Sequence, residues 1–251
     1  AESLYERQLH SLEPVELPWA RTPTADHVAR HERTALDVPD GLAVDAVVGA
    51  WATLLSRLVG KDRFHLAVSD AVWAGALGAT AGLFARSAPV EISIDPTESL
   101  AGAVSGVADR LAAARGRLPF AQELIARHPD LTRNPDLAAG RLLPVAVRFG
   151  EGDTADEVVA ELVEGATGWS VVLDTGLVDA ADGALLVSCL KAVLEELASD
   201  PTRPVGHVDL LGTELRHRIL EDWNATDRPV PATTVHQLIE ATADTSPDVT
   251  A

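Results

Sequence analysis

The sequence has 251 residues, long enough to bury a proper core as one large domain or two small ones. Hydrophobic residues make up 47% and charged residues 23%, a globular balance, and no apolar run of about 18 residues predicts a membrane span. A formal net charge of −18 argues against nucleic acid, whose phosphates it would repel, and a lone cysteine, Cys189, excludes an internal disulfide and fits a reducing cytoplasm. Glu2, Glu6 and Arg7 do not read as a signal peptide. The absence of methionine, the opening on Ala1 and the stop in mid-phrase at Ser246-Pro247-Asp248-Val249-Thr250-Ala251 are what a piece of a longer protein would give.

Apolar spacing maps the elements. Leu4, Tyr5, Gln8, Leu9 and Leu12 predict a short helix, after which Pro14, Pro18 and Pro23 hold the chain extended. A strand is expected over 31–38. Val44, Val47, Val48, Trp51, Leu54, Leu55 and Leu58 then define an amphipathic helix ending near Gly60. Phe64, Leu66 and Val68 alternate as a strand, which turns His65 away from the core, and Val90, Ile92 and Ile94 alternate as another. A helix carries Leu100, Val104, Val107 and Leu111; Pro119 opens a further one through about Arg127. Leu143 to Phe149 reads as a strand, 156–164 as an acidic amphipathic helix, and Trp169 to Asp174 as a strand. Asp179 is placed to cap a long helix through Leu197, and Thr213 one over 214–222. The alternation gives an α/β class with a central sheet. After Pro201 prolines cluster, and Thr234 with Gln237 has capping-box spacing for a last helix.

No motif for chemistry stands out. His27 and His31 lack the glutamate and third ligand of a zinc peptidase and read as surface histidines. Gly150-Glu151-Gly152 lacks the third glycine of a nucleotide loop, and Asp174, Asp179 and Asp182 do not match a calcium loop. Cys189 lies on the apolar side of its helix and reads as a buried, inert thiol. These residues therefore predict no catalytic and no metal site.

Several phrases, in order along the chain, resemble the condensation domains of non-ribosomal peptide synthetases. Tyr5-Glu6-Arg7-Gln8-Leu9 followed by Val15-Glu16-Leu17-Pro18 resembles a mid-domain Trp-x-x-x-Leu…Leu-Pro phrase. The stretch from Ala50 to Asp62 resembles the next helix and turn, and Ala81-Gly82-Leu83-Phe84 with Pro89-Val90 resembles Gly-x-Phe-x-Asn-Thr-x-Pro. Pro119-Phe120 resembles a helix start, and Leu173 to Pro201 the final strand and helix. Trp223-Asn224-Ala225-Thr226 resembles the linker before an adenylation domain.

The resemblance implies a CoA-dependent acyltransferase-like lobe: a central mixed sheet flanked by helices, with a proline-rich C-terminal linker. The lobe would span 1–222, the linker 223–235 and the start of an adenylation domain 236–251. It implies no cofactor on this chain, with phosphopantetheine carried by partner carrier domains. The implied partners are the adjacent adenylation domain and a peptidyl carrier protein; neither nucleic acid nor membrane is expected. In the family, the second histidine of His-His-x-x-x-Asp-Gly on the N-terminal lobe assists amine attack on a carrier-bound thioester. No two histidines are adjacent here, and Arg86-Ser87 stands at the Asn-Thr position. The leading expectation is a non-catalytic lobe that scaffolds the adenylation domain. The alternatives are the second half of an active condensation domain and an acidic α/β binding domain of accidental likeness. A lobe of this kind should expose an apolar seam; the stretch 69–79, with Val72, Trp73 and Leu77, is the candidate. Trp73, Trp223, Asn224 and Thr226 are the expected interface residues, with Trp223 packing against the lobe near the 214–222 helix.

Overall fold

The computed structural model describes residues 2–24, 26–138, 141–228 and 233–246. Helix α1 (Glu2–His10) leads to β1 (His31–Ala35), α2 (Val44–Val59), β2 (Arg63–Asp70) and α3 (Ala71–Leu77). A 3-10 turn (Gly78–Leu83) precedes β3 (Ala88–Ser93) and α4 (Leu100–Arg115). The short helices α5 (Glu123–Arg127), α6 (Pro129–Thr132) and α7 (Pro135–Ala138) follow. Then come β4 (Val145–Phe149), β5 (Ala160–Gly165), β6 (Gly168–Asp174) and the long α8 (Ala180–Ser199). The chain divides into two compact units, Ala1–Gly212 and Thr213–Ala251.

One six-stranded sheet organises the first unit, in the order β1-β6-β5-β4-β2-β3. Strands β2, β4 and β5 are parallel, whereas β1, β3 and β6 pair antiparallel to their neighbours, so the sheet is mixed. Register decides the faces. Val68 lies opposite Val147, Val147 opposite Leu162 and Leu162 opposite Val171, giving one continuous apolar face. The helices α2, α4 and α8 form a layer in which α2 packs against both others. A Cβ on Gly183 of α8 would lie 2.7 Å from the Leu173 side chain of β6, which seats α8 on this face. Gly60 closes α2 in the left-handed region (φ 66°), its N–H bonded to Ser56 O, as the sequence predicts. Ser99 caps α4 by accepting from Gly102 N–H at 3.1 Å.

The other face carries His65, Ala67, Ser69, Ala146, Arg148, Glu161, Ser170 and Asp174, most of them buried. This face corrects three expectations. His65 does point away from the apolar core, yet it is only 2% exposed. Its strand is interior, and the segment at Glu13-Pro14 bridges alongside it where β4 has not yet begun. Second, 156–164 is no helix: Ala160–Gly165 is strand β5. The β-branched Val158, Val159 and Val163 favour extended backbone, and Glu161 faces a buried arginine where a helix would have presented it to water. Third, His27 is not a free surface residue, as described below. Pro119 also opens no long helix, since α5 begins only at Glu123.

The predicted seam loses its best residue. Residues 69–79 finish β2 and form α3, and Trp73 is 4% exposed, its indole N–H donating to Arg115 O at 3.3 Å. Val72 beside it remains exposed. Asp179 occupies the N-cap position of α8, but its carboxylate pairs with Arg21 at 2.6 Å and caps nothing.

In the second unit, α9 (Gly212–His217) continues into a π-helical turn (Arg218–Asp222), so Thr213 lies inside the helix and does not cap it. Trp223 is 65% exposed, so the 214–222 helix of its own unit does not bury it as expected. Asn224 closes the π turn, its Nδ2 donating to Ile219 O (2.8 Å) and Leu220 O (3.2 Å); Thr226 Oγ1 reaches Asn224 O at 3.4 Å. Residues 229–232 of the expected linker lie outside the described residues. The last helix, α10 (Val235–Thr245), starts at Thr234, whose N–H donates to Gln237 Oε1 at 3.0 Å.

Candidate functional site: a polar cleft beside the parallel strands

In open α/β sheets ligands gather outside the carboxyl ends of parallel strands. Here β2 ends on Ser69 and Asp70, β4 contributes Arg148 near its carboxyl end, and β5 contributes Glu161 from its amino end; all four line a cleft of about 160 Å³. A second cleft of about 490 Å³ adjoins it, walled by Phe120, Ile125, Leu137 and Leu142. Arg86, Ser87, Ala155 and Glu157 belong to both. The dipeptide that departs from Asn-Thr thus stands at the junction of the two clefts.

The floor is a buried ion pair. Arg148 and Glu161, 5% and 3% exposed, meet in a two-pronged contact, Nε–Oε1 3.2 Å and Nη2–Oε2 2.9 Å. Thr154 Oγ1 donates to Glu161 Oε2 at 2.6 Å, and Arg148 also donates to Gly152 O, so the 151–157 loop is tied down by the same pair. At the β2 end, Asp70 accepts from Val72 N–H at 3.0 Å and from Arg115 Nε at 2.6 Å. Arg115 lies 3.8 Å above the Phe149 ring, a cation–π contact.

Histidines lie elsewhere. His27 Nε2 donates to Asp174 Oδ2 at 2.5 Å, and this fully buried carboxylate also accepts from Arg30 N–H and Gly176 N–H. Burial works to raise the Asp174 pKa, but the His27 and backbone hydrogen bonds and the imidazole charge outweigh it and hold the carboxyl low. His31 Nε2 donates to Val158 O at 2.9 Å. His65 accepts from Glu13 N–H on Nδ1 at 3.2 Å, which puts its proton on Nε2, an atom buried without a partner among the described residues. Cys189 is buried, and burial raises its thiol pKa, which fits an inert side chain. Among the described residues no group of three His, Cys, Asp or Glu is placed to hold a metal. No helix there is long and apolar enough to cross a membrane. With serines, carboxylates and arginines in their linings, the two clefts can orient a ligand by charge and hydrogen bonds. Trp73, Trp223, Asn224 and Thr226 line neither cleft. Sequence reasoning missed Arg148, Glu161 and Asp70, whose only signal was charge inside or at the end of an apolar strand.

The His65 environment predicts a pH effect. Burial pushes its pKa down, opposed by Glu91 and Glu13 and assisted by Arg63. The unfolded chain then binds a proton near the ordinary value of about 6.5 while the fold does not, so stability falls as pH drops below that value, as far as the folded-state pKa. His65→Gln, which cannot titrate, should lose less stability between pH 7.5 and 5.5 than the unaltered chain. Urea melts at both pH values check it; equal losses would contradict the assignment.

Solved structures place this architecture. The X-domain from teicoplanin biosynthesis superposes with a TM-score of 0.62 at 20% identity, over 83% of this chain and 56% of that one. The starter condensation domain of rhizomide synthetase RzmA gives 0.55 at 14% over 84% and 52%. A four-domain nonribosomal peptide synthetase, holo-AB3403 bound to AMP and glycine, gives 0.69 at 13% over 97% and 22%. The fold is that of one lobe of a condensation-type domain. No family model matches the chain. Curated relatives are the malpibaldin synthetase of Mortierella alpina (28% identical, 82% of this chain) and the chondramide synthase of Chondromyces crocatus (25%, 98%). A linear gramicidin synthase of Brevibacillus parabrevis is 25% identical over 84%. The chain spans only 4%, 7% and 5% of these proteins. The relatives are synthetases and synthases and the fold neighbours are an X-domain and condensation domains, so the chain is similar to a condensation-domain-like part of a non-ribosomal peptide synthetase.

Proposed function

We propose that this chain is a non-catalytic condensation-like lobe that scaffolds an adenylation domain following it in a peptide synthetase. The carrying observation is the apolar surface of the second unit. Leu220, Trp223, Val235, Leu238 and Ile239 are all exposed, and α10 buries none of its residues. An isolated helix of 11 residues is marginal in water, so such a stripe calls for a cover. A downstream domain supplies it, and Trp223 is the anchor that a tryptophan at an interface provides. The multidomain neighbours align over 97–100% of this chain, second unit included, which supports the same reading. Substrates would arrive on phosphopantetheine arms of carrier partners, with no cofactor held here.

The eight histidines include no adjacent pair, so this chain lacks the family's base. Purified chain mixed with two aminoacyl-loaded carrier proteins should therefore yield no dipeptidyl product above a protein-free control; product formation would sink the reading. In a longer polypeptide carrying the downstream domain, Trp223 fluorescence should resist quenching by acrylamide, whereas in this chain it should be quenched freely. The second reading, one wall of an active condensation domain's tunnel, is favoured by the joined clefts, which open beside Arg86-Ser87.

A further inference from the structure

A chain with a net charge of −18 gathers arginine in one groove. Helices α1 and α4 and the edge strand β3 enclose about 370 Å³, with Arg7, Gln8, Glu91, Arg110 and Arg117 in the lining. Arg110 is spoken for, since its Nη1 lies 3.3 Å from Glu91 Oε1. Arg7 and Arg117 have no ion-pair partner among the described residues, and both are exposed. The Gln8 terminal amide contributes a buried atom with no hydrogen-bond partner there, either O or, with the amide turned end for end, NH₂. Beyond Arg117 the groove continues into a largely apolar one of about 400 Å³ that holds Tyr5, Leu118 and Phe120.

We propose that this groove is a binding site for a small phosphate monoester whose ester group is apolar. Two guanidiniums left unpaired in a concave space match a compact dianion, because each planar fork can grip two phosphate oxygens. With its amide turned end for end, Gln8 would add a neutral donor of the kind that completes such a cradle. The apolar extension past Arg117 gives the organic part a dry wall of leucine and aromatic side chains. An acidic protein helix, the competing anion, presents carboxylates spread over a convex surface and would reach the rim rather than the recess. Phe120 is shared between the apolar extension and the larger cleft beside Arg86, but Arg7, Gln8 and Arg117 line neither of those clefts, and the proposal does not depend on the scaffold reading.

Calorimetric titration of the whole chain with phenyl phosphate, inorganic phosphate and hexaglutamate tests the assignment. Saturable binding of phenyl phosphate is expected, tighter than inorganic phosphate and weakened by salt. Arg7→Gln and Arg117→Gln should each weaken it about fivefold to tenfold, a loss of up to about 1.4 kcal/mol. Arg133→Gln, an exposed arginine outside the groove, should leave it unchanged. Three outcomes overturn the proposal: no saturation at millimolar phenyl phosphate, equal weakening by all three variants, or hexaglutamate binding more tightly than phenyl phosphate.

Discussion

Replacing Arg148 by methionine is expected to cost about 3–5 kcal/mol, because it leaves the Glu161 carboxylate charged, buried and without its strongest partner. Glu161→Leu should cost a similar amount by stranding the guanidinium. The double variant decides what the pair is for. If the pair merely balances its own desolvation, two apolar side chains of similar volume fill the space, and Arg148→Met with Glu161→Leu should recover most of either single loss. The 151–157 loop should loosen most where Arg148 is replaced, since Arg148 holds both Gly152 O and Thr154 Oγ1, and less in Glu161→Leu, which removes only the acceptor of Thr154 Oγ1. Chemical denaturation gives the four stabilities, and amide exchange across 151–157 gives the loop. A double variant as unstable as the sum of the singles would show that the two residues act independently, against the geometry.

Much of this fold is legible in the sequence, and what is not legible has one physical cause. Helix α2 and strands β2, β3, β4 and β6 follow from local periodicity, because each packs its apolar side in a regular rhythm. Strand β5 does not. Glu161 and Glu164 look like the polar face of a helix until the parallel register sets Glu161 opposite Ala146, where Arg148, two residues along β4 on the same face, reaches it diagonally. His27 reads as a surface residue for the same reason: its partner Asp174 is 147 positions away. Trp73 and Trp223 fail in opposite directions. A tryptophan announces a large apolar area but not its occupant, and here Arg115 and its helix cover one while no described residue buries the other. The candidate cleft was legible only as a departure from a pattern, Arg86-Ser87, because the ion pair that floors it exists only between strands.

Trp51→Ala should be the most damaging change in the helical layer, at about 3–5 kcal/mol. Trp51 sits mid-way along α2, fully buried, where α2 packs against both α4 and α8. Neither neighbour can collapse into the space easily. A Cβ on Gly49, two residues before, would already lie 2.8 Å from the Val104 backbone, so α2 and α4 are in close contact there and a rigid crossing borders the cavity. Trp51→Phe separates volume from polarity. The indole Nε1 is buried with no hydrogen-bond partner among the described residues, a state that costs the folded protein roughly 1–3 kcal/mol. Phenylalanine removes that donor and keeps most of the apolar ring, so its loss should be well below that of alanine, by about 2 kcal/mol or more. Equilibrium urea unfolding of the two variants beside the unaltered chain measures both differences. Equal losses for phenylalanine and alanine would mean that the indole N–H is bonded in solution and that its removal, rather than the cavity, sets the cost.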